Sequence, residues 1–189
     1  MIKDIRLGQC EDSDFVKMQR MHYKQKGTDK AWDMVQVHDS VSVLIYHKKK
    51  DAFVLVKQFR PPVYLHNENG FTYELCAGIV DKELSLEQIV LEEIDEECGY
   101  KVELDSIERI TSFYTAVGFA GAKQTLYYCE VDESCRMHEG GGVHAEEIEV
   151  VYLDVNEAKA FVLDEEKSKT PGIMYAIMWW FDTHYKRRL

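Results

Sequence analysis

Val41, Val43 and Ile45 alternate with Ser42, Leu44 and Tyr46, a polar stretch HKKKD follows at 47–51, and a second run rich in Val and Phe fills 52–59. This is the pattern of a strand hairpin. Further strands are predicted at 72–75, 107–113, 124–131 and 148–153, and helices at 156–163 and 172–184. In the last of these, Ile173, Ile177 and Trp180 share one face, with Met174, Trp179 and Phe181 spread around it. An aromatic-rich face of this kind reads as core, with a subunit interface as the alternative. Strands and helices alternate irregularly, which predicts an α+β fold in which a mixed sheet packs between helices.

The segment CAGIVDKELSLEQIVLEEIDEECGY (residues 76–100) carries one further helix. Ser85 followed three residues later by Gln88 has the form of a capping box, and Gly99 supplies the stop, so a helix is predicted over 85–98. At about 100° per residue, Leu86, Ile89 and Val90 share a face, and the same projection brings Glu93, Glu96 and Glu97 onto it one to two turns later. The inward stripe turns from apolar to acidic, and Glu92 and Asp95 add to the charge. An acidic run is commonly a solvated face. Here the acids align with the apolar stripe, and the helix follows a glycine loop, Ala77–Gly78, at the end of a predicted strand. Clustered carboxylates away from water cost several kcal/mol unless a cation compensates them, by about the desolvation energies of buried ions. A hard divalent ion such as Mg²⁺, which takes oxygen ligands and keeps several waters, fits that requirement.

With 189 residues the chain is long enough for one well-buried domain carrying a small extension. Its 34 acidic and 23 basic residues give a net charge of −11, which leaves no basic surplus for a nucleic-acid backbone. Five cysteines form no CxxC pair, so the composition suits a reducing compartment, read as cytoplasmic, better than a disulfide framework or zinc site. The longest hydrophobic stretch near the C-terminus, residues 173–181, is too short to span a bilayer, and residues 1–12 lack an apolar signal core. No membrane partner is expected. The histidines other than His144 have no metal-like spacing, and most read as surface or structural residues.

The spacing from Gly78 through Glu93, Ile94, Glu96, Glu97, Gly99 and Tyr100 resembles the signature of the Nudix hydrolases. It departs from that signature at Leu84, where the family has Glu, and at Glu92, where it has an Arg that helps hold a catalytic glutamate. Residues 21–41, 54–64 (VLVKQFRPPVY), 73–81 (YELCAGIVD), 123–131 and 140–153 (GGGVHAEEIEVVYL) are similar to the UDP-sugar diphosphatase branch, relatives of the ADP-ribose diphosphatases.

The resemblance implies a Nudix fold of mixed β-sheets sandwiched between α-helices. A small N-terminal β extension over 1–38, forming a homodimer by crossing to its partner, would precede a catalytic domain over 39–189. It further implies Mg²⁺-dependent hydrolysis of a nucleoside diphosphate sugar, with Mn²⁺ as the other candidate cofactor. UDP-glucose is the favoured substrate and ADP-ribose the second. Glu93, Glu97, Glu146 and the Ala77 carbonyl would be metal ligands, with Glu96 beside them among the catalytic residues. Arg60, at the end of a strand, suits a bidentate phosphate contact, with a surface arginine at a strand end as the alternative. The glycine-rich loop 139–150 can move and bring a carboxylate over the metals, so the proton acceptor is placed there, with Glu146 ahead of His144. Glu92 keeps a second class of reading open, a degenerate module that binds a nucleotide sugar without hydrolysing it.

Overall fold

The computed structural model describes residues 2–13, 15–143 and 146–185. Strands β1 (Lys17–Gln25) and β2 (Thr28–Gln36) form an antiparallel hairpin closed by Lys26 and Gly27, both at positive φ, as a two-residue turn requires. The hairpin is largely exposed. It is tied to the body where Val35 N–H donates to the Phe119 carbonyl at 2.7 Å and Trp32 Nε1 donates to the Gly118 carbonyl at 2.9 Å.

The remaining strands are β3 (Ser40–His47), β4 (Ala52–Phe59), β5 (Phe71–Glu74), β6 (Cys76–Ile79), β7 (Ile107–Tyr114), β8 (Lys123–Val131) and β9 (Ile148–Asp154). β3 runs parallel to β8 along its whole length, and β7 pairs β8 antiparallel. The other edge of β3 is shared: Ile45–His47 pair with β4, whereas Ser40–Val43 pair with β6. β4 in turn gives its far half to β5 on that edge and pairs with β9 on its other edge. The mixed sheets expected between helices are therefore two lobes of one sheet, continuous only through the short β3–β4 ladder. Where β3 and β4 splay apart, the sheet forks.

Helices cover both faces. α2 (Leu86–Cys98) lies on one, where Ile89, Val90, Ile94 and Cys98 pack against Val41, Val43, Ile45, Val54 and Tyr127. α3 (Val155–Leu163) and α4 (Pro171–Thr183) lie on the other, where Ile173, Ala176, Ile177 and Trp180 pack against Leu44, Tyr46, Phe53 and Leu126. The last helix is thus core, as its aromatic face predicts. Each fully buried Leu, Ile or Phe in these clusters contributes about 1.5–3 kcal/mol.

Neither α1 (Pro61–Asn67) nor β6 is predicted from the sequence. α1 begins with two prolines at its first positions, where their fixed φ suits a helix start, and β6 contains the Ala77–Gly78 pair expected to be a loop. Both lie beside the fork. Among the described residues no helix is long and apolar enough to cross a membrane, and all five cysteines are free thiols.

Candidate functional site

α2 starts as its sequence dictates. The Ser85 hydroxyl accepts from Gln88 N–H at 3.2 Å and the Gln88 side chain accepts from Ser85 N–H at 2.9 Å, so both halves of the capping box are made. Gly99 ends the helix in the left-handed region at φ 73°, its N–H donating to the Asp95 carbonyl. The glycine loop then docks onto that end: Gly141 N–H donates to the Glu97 carbonyl at 2.9 Å and Gly142 N–H to the Glu96 carbonyl at 3.0 Å. A Cβ on Gly140 would lie 2.3 Å from the Glu97 carbonyl oxygen, so only glycine permits this approach. The loop expected to swing over the site is thereby fastened, at residues 140–142, to the helix that carries the acids.

β6 faces the acidic turn of α2. Ala77 N–H donates to Glu97 Oε2 at 2.9 Å, and a Cβ on Gly78 would fall 2.0 Å from Glu93 Oε1. Gly78 is therefore the space that Glu93 occupies. Glu93, Glu97 and Glu146 line one cavity of about 350 Å³ at the fork, together with Ala77, Gly78, Arg60 and Glu74. Glu146 contributes from the end of the glycine loop, its Oε2 accepting from Val143 N–H at 3.0 Å.

Burial governs the charge state of these acids. It pushes Glu97, only 4% exposed, up to about 8, against the opposing effect of the Ala77 N–H, with Glu93 raising it further. Burial likewise raises Glu93 to about 7, helped by the neighbouring charges of Glu96 and Glu146. The nearby cations are committed elsewhere. Arg60 makes a bidentate pair with Glu74, Nε to Oε1 and Nη2 to Oε2 at 2.8 Å each, and Lys82 Nζ sits 2.7 Å from Glu92 Oε2.

Two desolvated carboxylates facing a polar cavity are an unbalanced charge that a hard cation would balance, and among the described residues the acidic ligands that line it, Glu93, Glu97 and Glu146, offer oxygen. The residues fit a divalent ion that keeps part of its water shell. Among the described residues no three acidic, histidine or cysteine side chains converge as a ready-made cage, so water and substrate oxygens would have to complete the shell.

Glu93, Glu97, Glu146, Ala77 and Arg60 are brought together in this cavity. Glu96 is not among its lining residues; it borders Glu93. His144 lies outside the described residues. The fork of Arg60 faces Glu74, so a phosphate contact is left to Nη1, which takes no part in that pair. Glu92 stands at the solvent edge, paired with Lys82, and Leu84 is exposed. Lys82, Glu74 and Gln124 were not singled out from the sequence; Lys82 alone had a signal, an isolated cation in the loop before an acidic helix. Of the other histidines, His47 is buried, its Nδ1 accepting from Lys50 N–H at 3.1 Å.

The sequence that builds this geometry is similar to known proteins. The NUDIX domain model matches residues 36–173, which takes in the forked sheet, α2 and the glycine loop. The chain is 36% identical to the uridine diphosphate glucose pyrophosphatase NUDT14 of Bos taurus, over 95% of this chain and 94% of that protein. It is 35% identical to the Mus musculus protein of the same name over the same shares. Against a GDP-mannose pyrophosphatase of Pectobacterium atrosepticum it is 37% identical over 67% of this chain and 64% of that protein. With a forked sheet, an acid-bearing capped helix and a match that spans most of its length, the chain belongs to the NUDIX-domain family.

Proposed function

We propose that this protein hydrolyses the pyrophosphate bond of a nucleoside diphosphate sugar, with UDP-glucose the favoured substrate, to a nucleoside monophosphate and a sugar phosphate. The observation that carries the reading is the pair Glu93 and Glu97, desolvated against Ala77 and Gly78 in the forked cavity. The whole-length similarity to two uridine diphosphate glucose pyrophosphatases supports the choice of substrate.

In this reading Glu93, Glu97, Glu146 and the Ala77 carbonyl would hold Mg²⁺, or Mn²⁺ in its place. The bound ion would neutralise charge on the pyrophosphate and lower the pKa of a water. Glu96 borders Glu93 and keeps the local field negative. Arg60, anchored by Glu74, presents the rest of its guanidinium to a phosphate oxygen. Glu146 or His144 accepts the proton of the attacking water. The exposed hairpin, with Met18, Met21 and Trp32 uncovered, supports a homodimer in which this extension packs on a partner. Its acidic charge and free thiols suit a cytoplasmic protein.

The test is incubation of the purified protein with Mg²⁺ and, separately, UDP-glucose, GDP-mannose and ADP-ribose, with the products identified by ³¹P NMR. UMP and glucose 1-phosphate are expected, with the highest kcat/KM on UDP-glucose. A higher value for ADP-ribose would reverse the substrate ranking, and binding without turnover would favour a module that only recognises nucleotide sugars. Light scattering of the full chain, against a variant lacking residues 1–36, tests the dimer.

A further inference from the structure

A second cavity, of about 360 Å³, adjoins the acidic one and shares Glu74, Ala77 and Gln124 with it. It opens on the α4 side of the sheet, between the end of β7 and the start of α4, and its lining includes Ser42, Leu75, Phe113 and Gly172. The row Ser40, Ser42, Leu44 and Tyr46 runs along one face of β3, since alternate residues of a strand share a face. Leu44 and Tyr46 belong to the core beneath α4. At Ser42 the row turns polar although the residue is only 2% exposed, and its Oγ has no hydrogen-bond partner among the described residues. A buried hydroxyl left in that state costs stability, so its position on the cavity wall calls for a ligand group.

The other polar groups around the cavity agree. Gln124 Nε2 donates to Ser40 Oγ at 3.1 Å, which leaves Oε1 as an acceptor, and a Cβ on Gly172 would lie 3.4 Å from that Oε1. At the start of α4, Thr170 makes no side-chain capping bond and Pro171 has no N–H, so the first free donors of the helix are the N–H groups of Gly172 and Ile173. Among the described residues no Lys or Arg lines the cavity, and the acid that does, Glu74, is spent on Arg60. A phosphate is therefore disfavoured. A hydroxyl from β3, a side-chain carbonyl from β8 and N–H groups at the start of α4 come from three elements around the cavity and suit a non-planar ring whose hydroxyls both donate and accept. A nucleobase, with its polar atoms in one plane, would use fewer of them.

We propose that this pocket holds the sugar ring of the substrate, with Ser42 and Gln124 reading its hydroxyls while the pyrophosphate lies over Glu93 and Glu97. This assignment rests on the nucleotide-sugar reading of the adjoining site.

The test uses the full chain with Mg²⁺ and titrates glucose 1-phosphate and UMP separately by calorimetry into the wild type, Ser42→Ala and Gly172→Ala. Ser42→Ala is expected to weaken glucose 1-phosphate by about five- to tenfold, the worth of one neutral hydrogen bond, and to leave UMP within about twofold. Its Tm should equal or exceed that of the wild type, because the substitution removes a buried hydroxyl that has no partner among the described residues; a merely structural serine would lower it. Gly172→Ala, which adds a methyl at the wall, should show the same preference for weakening the sugar ligand. In hydrolysis assays the variants should change the ranking among UDP-sugars and leave the ratio of UDP-glucose to ADP-glucose unchanged. Loss of UMP affinity instead, equal loss of both ligands, no loss of either, or no binding of glucose 1-phosphate to the wild type would each overturn the assignment. If the wild type hydrolyses no nucleotide sugar, the functional reading fails while the calorimetric comparison still decides the pocket.

Discussion

Replacing Glu97 by glutamine separates what its carboxylate contributes to folding from what it contributes to metal binding. The side chain is 4% exposed and its pKa is pushed up to about 8 by burial, against 4.5 for the ordinary carboxyl. The folded protein therefore holds the Glu97 proton more tightly than the unfolded chain does. Between about pH 4.5 and pH 8 the folded state binds more protons, so stability falls as pH rises through that window. At 1.36 kcal/mol per pH unit the cost is about 3 kcal/mol at pH 7 and rises by about 3 kcal/mol between pH 5.5 and pH 8. Glu93, raised to about 7, adds in the same direction.

In chelator, the wild-type Tm is expected to drop from pH 5.5 to pH 8 by roughly 6–12 °C from Glu97 alone. Glu97→Gln keeps an acceptor for the Ala77 N–H but cannot ionise, so its Tm should vary less with pH and lie above the wild type at pH 8. Adding Mg²⁺ at pH 8 should reverse that order by stabilising the wild type and leaving the variant nearly unchanged. Turnover of UDP-glucose should fall at least about a hundredfold in the variant. Differential scanning fluorimetry across the pH series, with and without Mg²⁺, reads all but the last. Equal pH slopes in the two proteins, equal stabilisation by Mg²⁺, or undiminished hydrolysis by Glu97→Gln would refute the reasoning.

Gly78→Ala should lower kcat/KM at least about tenfold with an unchanged circular dichroism spectrum, because the added Cβ claims the position of Glu93 Oε1 and must turn that carboxylate away; wild-type kinetics would show that Glu93 needs no fixed seat. Glu92→Arg should change stability by less than about 1 kcal/mol, the worth of an exposed pair, and kcat by less than about threefold. A larger gain in kcat would mean that the acid at this position misorients the site. Glu146→Gln should reduce kcat by about tenfold or more and KM by little, and His144→Ala should abolish any inflection near pH 6.5 in the kcat profile if the imidazole is the base. Near-normal kcat in both variants would place the proton acceptor off the glycine loop.

The parts of this architecture that were legible in the sequence are those fixed by neighbours along the chain. Ser85, Gln88 and Gly99 define both ends of α2 within a single helix length, and the alternation around HKKKD defines the β3–β4 hairpin. β6 escaped because four residues containing a glycine have little strand propensity of their own; the strand exists through pairing with Ser40–Val43, more than thirty positions away. The acid face of α2 followed from helical projection, and the seat for Glu93 could be guessed only as a glycine before the helix. That Arg60 turns its fork to Glu74, and that Gly141 and Gly142 fasten the glycine loop to the end of α2, depend on the tertiary arrangement.

The departure at Glu92 takes on a different meaning once its surroundings are known. Counted along the helix, an acid in place of a base adds to a charge that is already hard to hold. In three dimensions the loop between β6 and α2 brings Lys82 to within 2.7 Å of Glu92, so a cation stands beside this turn of the helix although the helix itself carries none there. Both partners are about half exposed, so the pair is screened by water and contributes at most about 1 kcal/mol to folding. Its position matters more than its strength. Lys82 answers Glu92 at the rim and lowers the pKa of Glu93 only as a minor influence behind burial, Glu96 and Glu146, while Glu97 has no contribution from it among its leading causes. The inner carboxylates consequently stay under-compensated, and the demand for a cation in the cavity survives the substitution at its edge.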